Sequence, residues 1–143
     1  MGNRGVLKVF TWGTFDHIHE GHKEFLKRIA QLGKLYVIVI PSKNKLENSG
    51  YYPNKSETDR KINLLNFGQK ENLNLIEDVF IDSYSAGLNS LLAIRPDIFC
   101  FEYDQSDIWM EKLMDFCAHH GLNVTFLRML NQNGNGVHSF TIR

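Results

Sequence analysis

The sequence predicts an α/β fold, with five parallel strands in one sheet and helices on both of its faces. Three observations predict it. Short apolar runs alternate along the chain with longer stretches of helical periodicity. Residues 35–40 (LYVIVI) are nearly all apolar, as a parallel strand covered on both faces must be. A glycine, Gly13, stands just after the first apolar run, where the chain must turn sharply or approach something closely.

The elements follow in order. Residues 6–11 (VLKVFT) read as the first strand. Residues 21–32 place Phe25, Leu26, Ile29, Ala30 and Leu32 on one helical face with lysines and an arginine opposite, and Gly33 punctuates the end. The run at 35–40 is the second strand. Residues 42–54 are polar, hold Gly50 and Pro53, and form a loop. Residues 57–67 are helical, with Ser56 or Thr58 near the cap. A strand at 79–81, a helix at 86–94 and a strand at 98–101 come next. Residues 108–119 form a helix stopped by Gly121, 123–127 (NVTFL) the last strand, and 131–136 a polar loop. Strands separated by helices make right-handed βαβ units, hence a Rossmann-like parallel sheet. Ligands of such sheets bind at the carboxyl ends of the strands, where the strand order reverses.

Composition narrows the function. The 143 residues suit one domain, 1–143, and leave no room for a second acceptor-binding unit. A chain of this length buries roughly 70% of its unfolded surface and needs no disulfide or metal staple. Sixteen basic and sixteen acidic residues cancel, which argues against an extended nucleic-acid surface but not against a local phosphate pocket. No apolar run approaches the ~20 residues that span a bilayer. The first residues lack a signal-peptide pattern, and Cys100 and Cys117 sit in apolar contexts suited to reduced thiols, so a cytoplasmic protein without nucleic-acid or membrane partners is expected.

The chemistry concentrates in residues 11–22 (TWGTFDHIHEGH), which hold three of the six histidines. A helix starting near Glu20 offers free amides and a dipole that favour an anion. His19 and His22, three apart, share one face of its first turn. Two imidazoles, a helix start and a glycine-bearing turn suit a phosphate whose charge grows during reaction. Metal ligation by His19 and His22 with His17 is the competing reading, although no Cys or carboxylate nearby completes a standard pattern.

The string Gly13-Thr14-Phe15-Asp16-x-x-His19-x-Gly21-His22 resembles the GTFDxxHxGH signature of the cytidylyltransferase-like nucleotidyltransferases. The resemblance continues along the chain. Residues 53–60 (PNKSETDR) resemble a segment that ends in a functional arginine after a lysine-bearing loop. Residues 77–79 (EDV) resemble the entry to the third strand. Residues 96–105 (PDIFCFEYDQ) look like a PDIxxLGPDQ string of archaeal FAD synthetases. Residues 136–143 (GVHSFTIR) look like a closing element in which a helix start with hydroxyls meets phosphates. Two departures stand out: Glu102 replaces a glycine, and Phe140 replaces a hydroxyl.

The resemblance implies the HUP-type nucleotidyltransferase fold and transfer of a nucleoside monophosphate to a phosphate-bearing acceptor, with release of pyrophosphate. It implies His19 and His22 as catalytic donors. Gly13, Thr14, Phe15, Asp16, Gly21, Asp104, Gln105, Arg128, His138, Ser139 and Thr141 would contact the nucleotide. Arg60 and a loop lysine, Lys43 or Lys45, would contact acceptor or phosphates. Mg²⁺ would come with ATP or CTP and keep most of its waters, with few protein ligands. FMN is the favoured acceptor, ahead of glycerol 3-phosphate and phosphopantetheine. A homodimer is expected by analogy with small relatives. A non-catalytic nucleotide sensor is the alternative from another class. Class I aminoacyl-tRNA synthetases share the HxGH element, but their KMSKS-like loop and basic RNA surface are missing here.

Overall fold

A computed structural model describes residues 6–71, 74–130 and 137–140. The chain runs β1 (Lys8–Gly13), α1 (Glu20–Ala30), β2 (Lys34–Val39), α2 (Glu57–Glu71), β3 (Asp78–Ile81), α3 (Asn89–Ile94), β4 (Ile98–Phe101), α4 (Asp107–His119), β5 (Thr125–Met129) and β6 (Val137–Phe140). The strands form one sheet in the order β3-β2-β1-β4-β5-β6. The first five are parallel, as the alternation predicts. The chain winds outward from β1 to β3, then returns to β4 on the other side of β1. The crevice between the carboxyl ends of β1 and β4 is therefore the place for a ligand.

The sixth strand is a correction. The closing segment was expected to present a helix start, yet Val137–Phe140 lies antiparallel on β5, with Arg128 opposite His138 and Leu127 opposite Ser139. An antiparallel neighbour needs only a short return, and the loop expected at 131–136 supplies enough chain for one. Thr141 lies outside the described residues. α3 is also shorter than expected at its start, because the chain turns through Gly87 and Leu88, both at positive φ, before the helix begins.

Alternation within the strands sends side chains to two cores. Val9, Leu35, Val37, Val39 and Val79 meet Phe25, Leu26 and Ile29 of α1 and Leu64 and Phe67 of α2. Phe10, Trp12, Ile38, Phe99 and Phe101 meet Leu91 of α3 and Met110, Leu113, Met114 and Cys117 of α4. Each such side chain stabilises the fold by roughly 1.5–3 kcal/mol through burial. The second face carries a row of cross-strand aromatic contacts, including Phe10 on Tyr36 at 5.2 Å and Phe10 on Phe99 at 6.4 Å. Cys100 and Cys117 are free thiols pushed up to about 12 by burial, so they are inert as nucleophiles. Among the described residues, no helix is long and apolar enough to cross a membrane.

Gly33 does more than end a helix. A Cβ there would lie 2.2 Å from the Leu7 carbonyl oxygen, the same oxygen that accepts from the Lys34 amide at 2.8 Å. Backbone cannot retreat as a side-chain tip can. Gly33→Ala is therefore expected to destabilise the protein by at least ~1–3 kcal/mol, read as a lower urea midpoint at unchanged slope.

Candidate active site

The loop after β1 is held from three sides. Gly13 is required because a Cβ would meet the Phe15 ring at 2.9 Å. Phe15 folds back with φ 51° and is 2% exposed, so its ring plugs the end of the strand rather than leaving the loop free. The Thr14 hydroxyl donates to Asn48 Oδ1 at 3.0 Å. The Asp16 carboxylate accepts from the amides of Asn54 at 3.0 Å and Lys55 at 2.8 Å. Burial opposes ionisation of Asp16, but those two amides and the neighbouring cations outweigh it and hold the carboxyl below its ordinary range.

Arg60 is the third tie. Its side chain is fully buried, and it donates to the carbonyls of Thr14 at 2.7 Å, Ile40 at 2.9 Å and Lys55 at 3.1 Å, and to Ser42 Oγ at 3.1 Å. Glu57 lies 3.8 Å away as its ion-pair partner. This corrects the expectation that Arg60 contacts phosphates: its donors already serve the loops that wall the site. Lys45 is exposed, with its Nζ 5.4 Å from the centroid of the Tyr52 ring. The lysine near the motif is Lys55, whose Nζ donates to the Asp16 carbonyl at 3.2 Å and lies 3.1 Å from His17 Nδ1. Lys55 stands inside the segment at 53–60, where attention to its terminal arginine hid it.

His19 is the N-cap of α1. Its Nδ1 accepts from the amides of Gly21 at 3.0 Å and His22 at 3.3 Å. Two amides expected to remain free for an anion are thus satisfied by the cap. Accepting at Nδ1 places the proton of the neutral ring on Nε2, which becomes the donor. His22 stacks on His19 with centroids 3.9 Å apart. Its Nδ1 lies 3.1 Å from the His17 carbonyl, and its Nε2 lies 3.6 Å from Glu102 Oε2. Burial, and next the adjacent His19, hold His22 below the usual histidine range, so it is a neutral ring near pH 7.

The loop after β4 forms the opposite wall. Gln105 accepts from the Glu102 amide at 3.0 Å and donates to the Trp12 carbonyl at 3.0 Å, tying β4 to β1. Arg128 donates to the carbonyls of Gln105 at 3.1 Å and Tyr103 at 3.5 Å and pairs with Asp107 at 2.6 Å; it also touches the Met110 sulfur. Arg128 was expected on the phosphates; instead it braces this loop. Asp104 is exposed at the rim. His138 and Ser139 lie on β6, one strand beyond β5.

These walls enclose a cavity of about 530 Å³. Gly13, Thr14, Phe15, Asp16, His19, His22, Asp104 and Gln105 line it, together with Trp12, Trp109 and Tyr51. A smaller recess of about 90 Å³, lined by Gly21, Phe25 and Met129 among others, shares His19, His22, Glu102 and Asp104 with it. Trp12 is 4% exposed and meets Trp109 edge-on at 6.4 Å, so it is a packed core residue that also contributes a wall. His119 ends α4 and His120 is its C-cap, with the His120 ring 4.3 Å from that of Phe116.

The cytidylyltransferase-like family model matches residues 10–143, and the chain belongs to that family. It is a nucleotidyltransferase. Its similar proteins include the FAD synthase of Pyrococcus horikoshii, 30% identical over 131 residues that cover 90% of this chain and 84% of that one. The FAD synthase of Picrophilus torridus is 25% identical over 139 residues, covering 96% of this chain and 94% of its own. Among solved structures, the lipopolysaccharide core biosynthesis protein from Thermoplasma volcanium superposes with a TM-score of 0.72 at 24% identity, over 89% of this chain and 98% of that one. That likeness speaks to the fold.

Proposed function

We propose that the chain transfers AMP from ATP to the phosphate of FMN, forming FAD and pyrophosphate. One observation carries the reading: a single cavity joins the histidine pair at the start of α1 to an aromatic wall that includes Trp12 and Trp109. The first suits a phosphate under attack, the second a planar ring system. The family and the FAD synthases at 30% identity support the same choice.

The acceptor phosphate oxygen attacks the α-phosphorus in line and pyrophosphate leaves. A phosphate monoester loses its second proton near pH 6, so it is a competent anion at neutrality and needs no strong base. Catalysis then rests on positioning and charge stabilisation. Nε2–H of His19 donates to the α-phosphate oxygens, and His22 donates to them when its Nε2 carries a proton. Lys55 and the start of α1 add positive potential. The triphosphate would enter as its Mg²⁺ complex, the metal being part of the substrate and supplying neutralisation of phosphate charge. Asp16 and Arg60 touch no substrate in this scheme; they hold the loops that do.

The test is pyrophosphate release with ATP or CTP crossed against FMN, glycerol 3-phosphate and phosphopantetheine. ATP with FMN is expected to give the fastest release, with FAD identified by its chromatographic mobility. Release with CTP and glycerol 3-phosphate alone would reassign the acceptor. Nucleotide binding without release in any combination would make the protein a sensor.

A further inference from the structure

Glu102 has no part in the chemistry above, yet its side chain is only 15% exposed and borders both the main cavity and the smaller recess. Its Oε2 lies 3.6 Å from Nε2 of His22, the atom that must face a phosphate. An ionised carboxylate there competes for that nitrogen's proton and sets a negative charge beside an incoming polyanion. A protonated one does neither. Resting on the nucleotidyltransferase reading, we propose that Glu102 is a positioning residue that holds a proton with His22, and that the triphosphate binds only when this proton is present.

The surroundings support a carboxyl that takes up a proton near neutrality. Burial, and next the charge of Asp104, push Glu102 up to about 7. Two nearby cations are engaged elsewhere. Arg128, from β5, is turned to Asp107 and to the Tyr103 and Gln105 carbonyls. Lys55, across the main cavity, is turned to the Asp16 carbonyl and His17. From α1, His22 faces Glu102 directly, while Glu24, Arg28 and the N-cap His19 line the smaller recess with it. The residues of β1 that line the cavity, Trp12 and Gly13, are not titratable; Asp16 and His17 follow in its loop. The proton comes from water: an O–H bond forms on the carboxylate, or an N–H bond on Nε2, and the buffer gives up one proton. The pair then changes from a net charge of −1 to neutral, and titrates as a unit.

The sign of the pH effect follows. Below neutrality the proton is already in place and nucleotide affinity sits at its plateau. Above neutrality each pH unit lowers the fraction holding the proton, and apparent affinity, by about tenfold. Nucleotide phosphates are essentially fully ionised across pH 8–9, so they add little slope of their own there.

Calorimetric titration with Mg²⁺ and α,β-methylene-ATP, repeated at pH 8 in buffers of different ionisation enthalpy, reads the proton directly. Wild type is expected to take up close to one proton per nucleotide, and its Kd to rise about tenfold from pH 8 to pH 9. Glu102→Gln is expected to take up none and to bind with a flat profile over that range. Equal proton uptake in wild type and Glu102→Gln would overturn the proposal. So would zero uptake in wild type, which needs no variant to fold. The titration uses no acceptor and no turnover, so failure of FMN as acceptor leaves it standing. Nucleotide binding with no proton linkage sinks it while leaving the transferase reading intact.

Discussion

Replacing His19 by asparagine is expected to lower turnover by about 10²–10³-fold while leaving stability almost unchanged. Asparagine is among the best N-cap residues, so its side-chain oxygen can take over the amides of Gly21 and His22 that Nδ1 now holds. It has nothing to replace Nε2–H at the α-phosphate. Loss of one preorganised donor raises the barrier by about 3 kcal/mol, which gives that fall in rate. His19→Ala is expected to lose the same turnover and a further ~1 kcal/mol of stability, because the cap goes too. His22→Ala should match His19→Asn in rate. Measuring kcat by pyrophosphate release beside the thermal midpoint separates the two roles of His19. Near-normal turnover in the His19→Asn and His22→Ala proteins would remove the histidine pair from the mechanism.

Arg60→Met is expected to cost about 3–5 kcal/mol of stability, because it strands the buried carbonyl of Ile40 and the half-buried ones of Thr14 and Lys55 and leaves Glu57 without its partner. For a chain of this size the thermal midpoint should fall by roughly 10 °C or more. Arg60→Lys should not rescue it, since one ammonium cannot reach donors' positions spread over a planar fork. A phosphate-binding arginine behaves differently: its loss raises KM and leaves the midpoint in place. Thermal denaturation and saturation kinetics on the same sample therefore decide between the two roles. Lys45→Ala, at an exposed position, is expected to stay within about 0.5 kcal/mol of wild type.

The parallel core of the fold was legible because its signals are local and redundant. A run such as LYVIVI has no amphipathic alternative, and the α1 stripe of Phe25, Leu26 and Ile29 lands on the sheet where periodicity puts it. β6 was not legible, because pairing with β5 is a long-range choice that residues 137–140 do not announce. The histidine site was legible for a similar reason to the core: its residues are contiguous and sit on one helical turn. The arginines misled. Arg60 and Arg128 carry the charge a phosphate wants, but sequence does not say whether a guanidinium's donors point into a cavity or back into carbonyls. Glu102 was visible only as a departure at one position; its meaning needed the 3.6 Å approach to His22.

The carboxylate of Asp16 grips the amides of Asn54 and Lys55 from a loop distant in sequence. Neither amide can trade its hydrogen for deuterium until that grip opens. Their exchange rates therefore time the opening of the cavity wall in the resting protein, with no substrate present. A nucleotide that tightens the loop after β1 should slow both clocks together.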